Sequence, residues 1–98
     1  MRPFIERALK DRVRYRYVQP TVLQDGDSFR VEAPCCSRNV DPAGGVIDIA
    51  RLTPAADGSW ALALRDHAAK AWVPHAEGLS LGEALDTLCV DAERRFWP

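Results

Sequence analysis

Helical and extended spacings of apolar residues alternate along this chain. In "RPFIERALKD", Pro3 suits the first helical position and Phe4 and Leu9 lie on one apolar stripe, which predicts a short amino-terminal helix. Residues 12–18, "RVRYRYV", then alternate strictly between arginine and aromatic or aliphatic side chains. That period of two predicts a strand, which Pro20 is expected to end.

The next strands are separated by turn residues. "FRVEA" at 29–33 alternates again, and the Asp-Gly-Asp content of "QDGDS" predicts a turn that joins it to "RVRYRYV" in a hairpin with a longer connection than the tightest type. "GVIDIARL" at 45–52 predicts a third strand that Pro54 stops.

Two further strands follow closely. Asp57-Gly58 predicts a turn before "WALAL" at 60–64, whose residues alternate between leucine or tryptophan and alanine. "KAWVPH" at 70–75 predicts a short fifth strand, blunted by Pro74 as at a sheet edge.

The carboxyl-terminal part has a clear helix start. Ser80 and Glu83 have the spacing of a capping box, and leucine, alanine and cysteine then recur at helical spacing, with Phe96 and Trp97 expected to close over the end. The predicted fold is a single α+β domain, residues 1–98, in which an antiparallel sheet of about five strands carries the carboxyl-terminal helix on one face and has a short amino-terminal helix.

Composition and charge exclude several classes. The amino terminus lacks the apolar core of a signal peptide, and no stretch approaches the roughly 20 apolar residues of a membrane span, so a cytoplasmic protein without membrane contact is expected. The net charge is −1, although residues 1–18 carry six basic and two acidic side chains. Nucleic-acid modules usually have a clear positive excess, which this chain lacks.

The adjacent cysteines Cys35 and Cys36 are the first candidates for chemistry. Successive side chains on an extended segment point to opposite faces, so the pair is poorly arranged to bind one metal, and with Cys89 the cysteine count is odd. We expect no structural disulfide, no metal and no cofactor. A thiol redox or soft-metal role remains an alternative, because Arg38 can lower the pKa of a neighbouring thiol.

Enzymatic motifs are missing. Ser37 has no nucleophile elbow, and neither His67 nor His75 has an acid at a recognisable orienting spacing. No glycine-rich loop precedes a helix with a phosphate-binding lysine. A non-enzymatic protein is therefore expected.

A whole face of the sheet is the stronger candidate site. If Tyr15, Val31, Ile49, Leu62 and Val73 meet the helix, parity fixes the residues of the other face. Those residues are Arg14, Arg16, Arg30, Glu32, Asp48, Ala50, Ala61, Ala63, Arg65, Lys70 and Trp72. Three alanines beside a tryptophan and several bases predict a shallow apolar floor with charged margins.

Three interpretations of this face stay open. It can bind a protein partner or a second copy, since apolar floors rimmed by charge are typical of interfaces. It can bind single-stranded nucleic acid through Trp72 and the basic residues Arg14, Arg16, Arg65 and Lys70. It can also be an ordinary solvated face with cross-strand ion pairs. The small overall charge favours a protein-interaction or homodimerising module.

The order of segments also resembles a known family. The segments "VRYRY", "DIARL", "DGSW", "KAW" and "DAERRFWP" follow one another from about Val13 to the end, as in a family of small bacterial domains of unknown function, domain-of-unknown-function family 3024. The resemblance implies a shared fold and supplies no activity. It also implies that the cysteine pair lies outside the shared pattern.

Overall fold

The computed structural model describes residues 2–10, 20–34, 45–91 and 95–97. Two helices and five strands are present in these ranges. They are α1 (Arg2–Leu9), β1 (Thr21–Asp25), β2 (Ser28–Pro34), β3 (Val46–Pro54), β4 (Trp60–Asp66), β5 (Ala71–Leu79) and α2 (Leu81–Val90). The strands form one antiparallel sheet in the order β1-β2-β3-β4-β5, so the predicted α+β fold is confirmed.

The first hairpin differs from the prediction. Strand β2 pairs with β1 on one side and with β3 on the other. Residues 12–18, which are predicted as its hairpin partner, lie outside the described residues. The turn holds only two residues between Asp25 and Ser28, with Gly26 at φ +62°. Glycine with positive φ at the first central position suits a tight type II′ turn, and this turn brings "TVLQD" beside β2.

One strand runs past the proline that was predicted to blunt it. Strand β3 ends at Pro54, as predicted, whereas β5 continues past Pro74 to Leu79. Strand β5 is an edge strand, as predicted, and an edge tolerates a residue without an N–H group.

Bulges interrupt the regular pairing of β3 and β5. Val31 pairs with Ala50 whereas Glu32 pairs with Asp48, so Ile49 is an extra residue. In β5, His75 is extra between Pro74 and Ala76, and a second shift follows before Leu79, at Gly78 with φ +69°. Each bulge moves the following residues to the other face of the sheet.

One face of the sheet packs on the helices. Helix α2 contacts β4 and β5, whereas α1 contacts β1 and α2. The core includes Ile5, Leu9, Val31, Ile49, Leu52, Leu62, Leu88 and Trp97, all nearly or fully buried. Phe4, predicted on the buried stripe of α1, is instead 55% exposed. The buried stripe of α1 is therefore narrower than its sequence indicates, with Ile5 and Leu9 as its buried residues.

The capping box is present at the start of α2. Glu83 N donates to Ser80 Oγ at 3.0 Å, and Ser80 N donates to Glu83 Oε1 at 2.9 Å. Hydrogen bonds to the Glu83 carboxyl from the backbone and the side chain of Ser80 lower the pKa of this carboxyl. The two bonds of the capping box satisfy donors that the first helical turn leaves without intrahelical partners.

Asp91 fastens the end of the chain to the core. Its carboxylate accepts hydrogen bonds from the backbone N–H groups of Arg95, Phe96 and Trp97, at 2.7, 3.2 and 3.0 Å. The Trp97 indole donates to Leu88 O at 2.9 Å. Phe96 and Trp97 are each only 2% exposed, so they cover the end of α2 as predicted.

Candidate functional site

The second face of the sheet, called the open face below, has neither described helix packed on it. Cross-strand partners place its members together, because directly paired residues point to the same side. Its main residues are Arg30, Glu32, Asp48, Arg51, Thr53, Ala61, Ala63, Arg65, Trp72 and Pro74.

A groove of about 490 Å³ lies on the open face at the β4–β5 side. Ala61 and Ala63 contribute small side chains, whereas Trp72 and Pro74 contribute larger apolar ones. Thr53, Leu62, His75, Ala76 and Glu77 complete its lining. Most of this lining is apolar, and the exposed Glu77 is the one carboxylate among the described residues that form it.

A chain of charged contacts borders the groove. Asp48 lies between two arginines, with Arg30 Nη1 at 3.3 Å from Oδ1 and Arg65 Nε at 3.9 Å from Oδ2. The Arg65 guanidinium in turn lies over the Trp72 ring, 5.2 Å from its centroid. Arg65 is thus held between a carboxylate and an aromatic face, which fixes the position of Trp72.

The contact between Arg30 and Asp48 is an ion pair without hydrogen-bond geometry. Neither Arg30 Nε nor Asp48 Oδ1 makes a hydrogen bond to a described protein group, although both atoms are buried. Unsatisfied buried polar atoms cost about 1–3 kcal/mol each. This cluster therefore stabilises the fold less than its three charges suggest.

His67 lies in the β4–β5 turn beside this cluster. Its partial burial lowers the pKa of the imidazole below 6.5, and the positive charge of Arg65 acts in the same direction. Asp48 and Asp66 oppose the shift without reversing it. His67 is therefore neutral at physiological pH.

The structure places some of the predicted site residues together. Arg65 and Trp72 are cross-strand partners on the open face. Lys70 is exposed in the β4–β5 turn with φ +54°, at the end of β5 and not on the sheet surface. Arg14, Arg16, Cys35 and Cys36 lie outside the described residues.

One predicted member of the open face is wrong. Ala50 is fully buried and pairs with Val31 and Leu64 on the core side. The bulge at Ile49 shifts the parity of β3 by one residue between Asp48 and Ala50, and unbroken alternation cannot anticipate this shift.

Sequence reasoning also missed part of the groove. Pro74 is predicted only to blunt an edge strand and His75 only to lack an orienting acid, yet both line the groove. His75 also meets the buried Phe96 edge to face, with ring centroids 5.2 Å apart. A proline within an apparent edge strand was the available signal that the strand continues with irregular pairing.

Other candidate chemistry is limited in the described ranges. Cys89 is buried in α2, as predicted, and its thiol donates to Ala8 O at 3.4 Å. Within residues 2–10, 20–34, 45–91 and 95–97, no group of three or more His, Cys, Asp and Glu side chains could hold a metal. Among the same residues, no helix is long and apolar enough to cross a membrane.

A family comparison places the chain among known sequences. The model of a domain of unknown function, DUF3024, matches residues 3–98. The chain belongs to this family. The match begins at residue 3, before the resemblance noted from about Val13. Comparisons with curated proteins and with solved structures gave no match.

Within this DUF3024 domain, the terminal Asp and Phe-Trp that carry the resemblance have structural roles. Asp91 binds the backbone around Phe96 and Trp97, and both aromatic rings are buried. These family-like residues therefore stabilise the fold. Both aromatic residues belong to the hydrophobic core, and Phe96 also meets the groove residue His75.

Proposed function

We propose that this DUF3024 protein is a small protein-interaction or homodimerising module that docks through its open face. The observation that carries the proposal is the groove between β4 and β5, with alanines in its lining and Trp72 held in place at its side. A rigid aromatic beside small side chains suits docking, because it offers apolar area with little loss of side-chain entropy on binding.

The charges beside the groove also support a protein partner over a nucleic acid. Arg30 and Arg65 share Asp48, and Arg51 Nη2 lies 3.5 Å from Asp25 Oδ2. These arginines already have carboxylate partners, so phosphates would have to compete with them. Glu77 places a further negative charge in the groove, which repels a phosphate backbone.

The position of Trp72 supports the same choice. Bases stack on aromatic faces in single-strand binding proteins. One face of the Trp72 ring is covered by Arg65, which leaves less of the ring for a base.

The proposal assigns this function to the bacterial cytoplasm. The resemblance to a family of small bacterial domains supports a bacterial origin. The odd number of cysteines supports a reducing compartment.

Site-specific photo-crosslinking in cells tests the proposal. A photoreactive amino acid replaces Ala63 in the groove, and a matched control replaces Asp86, which is exposed on α2 at the opposite face. We expect discrete protein adducts from position 63, including adducts with a second copy if the module homodimerises. Position 86 should give only background.

Two results would contradict the proposal. Equal adducts from positions 63 and 86 would show that the open face has no preferred partner. Adducts from position 63 that digest with nuclease would favour the nucleic-acid interpretation.

A further inference from the structure

The groove carries an uncompensated negative charge. Among the described residues that line it, Glu77 is the one carboxylate, and none is a lysine or an arginine. Glu77 is exposed, and in the part of the chain that the structure describes its carboxylate makes no ion pair and accepts no hydrogen bond. Its charge is therefore left for a ligand of the groove.

The other polar side chains of the lining contact the rest of the protein. The Thr53 hydroxyl lies 3.0 Å from Ser28 Oγ, in a hydrogen bond. The His75 ring meets the buried Phe96 edge to face. Glu77 is thus the polar side chain of the lining that these contacts do not engage.

The positive charge beside the groove differs from Glu77 in having partners. Arg65 Nε lies 3.9 Å from Asp48 Oδ2, and the Arg65 guanidinium covers one face of the Trp72 ring. An anion in the groove would compete with these contacts and meet the repulsion of Glu77, whereas a cation meets an unpaired carboxylate. Charge complementarity therefore favours a positively charged ligand group.

The register of β4 and β5 fixes how far this charge lies from the alanine floor. Ala63 pairs with Pro74, whereas Glu77 lies between the β5 residues that pair with Leu62 and Trp60. Two residues of β4, at about 3.3 Å each, separate the two levels by roughly 7 Å. Alternate side chains of an extended peptide point to the same side and have this separation.

The exposure of the groove favours a side chain that projects from a larger partner. Thr53, Pro74 and Glu77 are all exposed in its lining. Sites for free small molecules bury about 70–90% of the ligand surface. An open groove of this kind suits a peptide segment, whose remaining atoms belong to the partner protein.

We infer that the partner of the groove is an extended protein segment with an apolar side chain and, two residues away, a lysine or arginine. The apolar side chain packs on Ala61 and Ala63 beside Trp72, and the basic side chain pairs with Glu77. This inference rests on the proposed function and names the chemistry of the partner.

Three small probes test this chemistry on the purified full chain. Phenethylamine, phenethyl alcohol and hydrocinnamate carry a cation, a neutral hydroxyl and an anion on the same phenylethyl group. NMR shifts of the alanine methyl groups, including those of Ala61 and Ala63, measure binding. We expect the amine to bind about two- to fivefold more tightly than the alcohol, which is the effect of an exposed ion pair, and hydrocinnamate to bind most weakly.

Glu77→Gln should abolish the preference for the amine, because it keeps the size of the side chain and removes its charge. Asp86→Asn is the matched control, since it removes an exposed carboxylate on α2, and it should keep the preference. Circular dichroism checks the fold of both variants. An amine that binds no more tightly than the alcohol, a preference that survives Glu77→Gln, or no shift with any probe at tens of millimolar would overturn the inference.

Photo-crosslinking in cells tests the partner segment itself. A photoreactive amino acid at position 53, the exposed margin of the groove, leaves the alanine floor open. Mass spectrometry of its adducts should place the crosslinked residue within about two residues of a lysine or arginine, and Glu77→Lys should remove these adducts. Adducts far from any basic residue that persist in Glu77→Lys would overturn the inference.

These outcomes are distinct from failure of the proposed function. Discrete protein adducts from position 63, together with no preference for the amine, would overturn the inference and leave the docking face intact. Equal crosslinking from positions 63 and 86 would overturn both, because the partner segment requires docking at the groove.

Discussion

Asp91 shows how one buried carboxylate can hold a chain terminus. The residue is 3% exposed, takes a left-handed conformation at φ +44°, and accepts hydrogen bonds from three backbone N–H groups. Aspartate is one of the few residues other than glycine that adopt this conformation at modest cost. Its position after α2 turns the backbone so that Phe96 and Trp97 return to the core.

Asp91→Asn should lower the free energy of unfolding by about 1–3 kcal/mol. Asparagine tolerates the same backbone conformation, but one of its side-chain positions is an NH₂ donor, which cannot accept from an N–H group. Urea denaturation measures the loss, and Asp86→Asn on the exposed side of α2 is the control. Equal stability of the two variants would show that the carboxylate does not hold the terminus.

His67 is a second single residue with a measurable effect, because it makes the stability of the protein depend on pH. Because burial and Arg65 lower its pKa in the folded protein, the unfolded chain binds a proton more readily below pH 6.5. The contribution of neutral His67 is complete above 6.5 and is lost as the pH falls towards the lowered pKa. The charged neighbours are Arg65, Asp48 and Asp66, and the two carboxylates limit the shift.

His67→Gln should therefore flatten the pH dependence of stability on the acidic side of neutrality. The difference between the two proteins should be constant above about pH 8 and should shrink as the pH falls below about 6.5. Urea midpoints measured across this range provide the test. Parallel curves from about pH 8 to 5 would show that His67 has the same pKa in the folded and unfolded chain.

At the scale of elements, β5 combines regular pairing with two bulges. Gly78 lies in the second bulge at φ +69°, and an added Cβ would meet no atom within 4 Å. Any cost of a side chain there is therefore one of backbone conformation alone. Gly82 in α2 differs, since its backbone is not in the positive-φ region and the nearest atom to an added Cβ is Ser80 Oγ at 3.9 Å.

Gly78→Ala and Gly82→Ala should consequently have opposite signs. Gly78→Ala should destabilise the protein by about 1–2 kcal/mol, because a Cβ is unfavourable in the left-handed region. Gly82→Ala should be neutral or stabilising by up to about 1 kcal/mol, because it reduces the entropy of the unfolded chain and raises helix propensity. Thermal denaturation of both variants is the measurement, and equal effects would contradict the bulge geometry.

At the scale of the whole molecule, periodicity predicted four of the five described strands and missed β1. Residues 12–18 alternate more regularly than Thr21–Asp25, whose only fully buried side chain is Val22, so the sequence favoured the wrong partner for β2. The two-residue turn at Gly26 decided the hairpin. Strand pairing depends on turn geometry as well as on hydrophobic pattern.

The candidate site was likewise predictable where strand pairing is regular, and not where a bulge interrupts it. Arg65 and Trp72 were correctly predicted to lie on the open face, because the pairing of β4 with β5 is regular from these residues to the turn. Ala50 was misplaced, and His75 and Glu77 were missed, because bulges in β3 and β5 change which side chains share a face. A bulge costs little free energy and has a weak sequence signal, so it escapes a reading based on alternation.

Homodimerisation through the open face, one form of the proposed function, predicts that thermal stability depends on protein concentration. If only folded chains associate, mass action raises the midpoint as the concentration rises. About 1.4 kcal/mol per tenfold change, set against the unfolding entropy of two chains of this length, corresponds to roughly 3 °C per tenfold. Trp72→Ala should abolish this slope, because it removes the aromatic side chain beside the groove.

The dependence of the thermal midpoint on protein concentration reports association separately from the stability of the monomer. Trp72→Ala is expected to lower the midpoint at every concentration if the ring also stabilises the monomer, so a lower midpoint alone does not decide the question. Asp86→Lys should keep the wild-type slope, since Asp86 lies on α2 at the other face. A wild-type midpoint that stays constant from micromolar to millimolar concentration would show that the folded chain does not self-associate, and the open face would then have to bind a different protein.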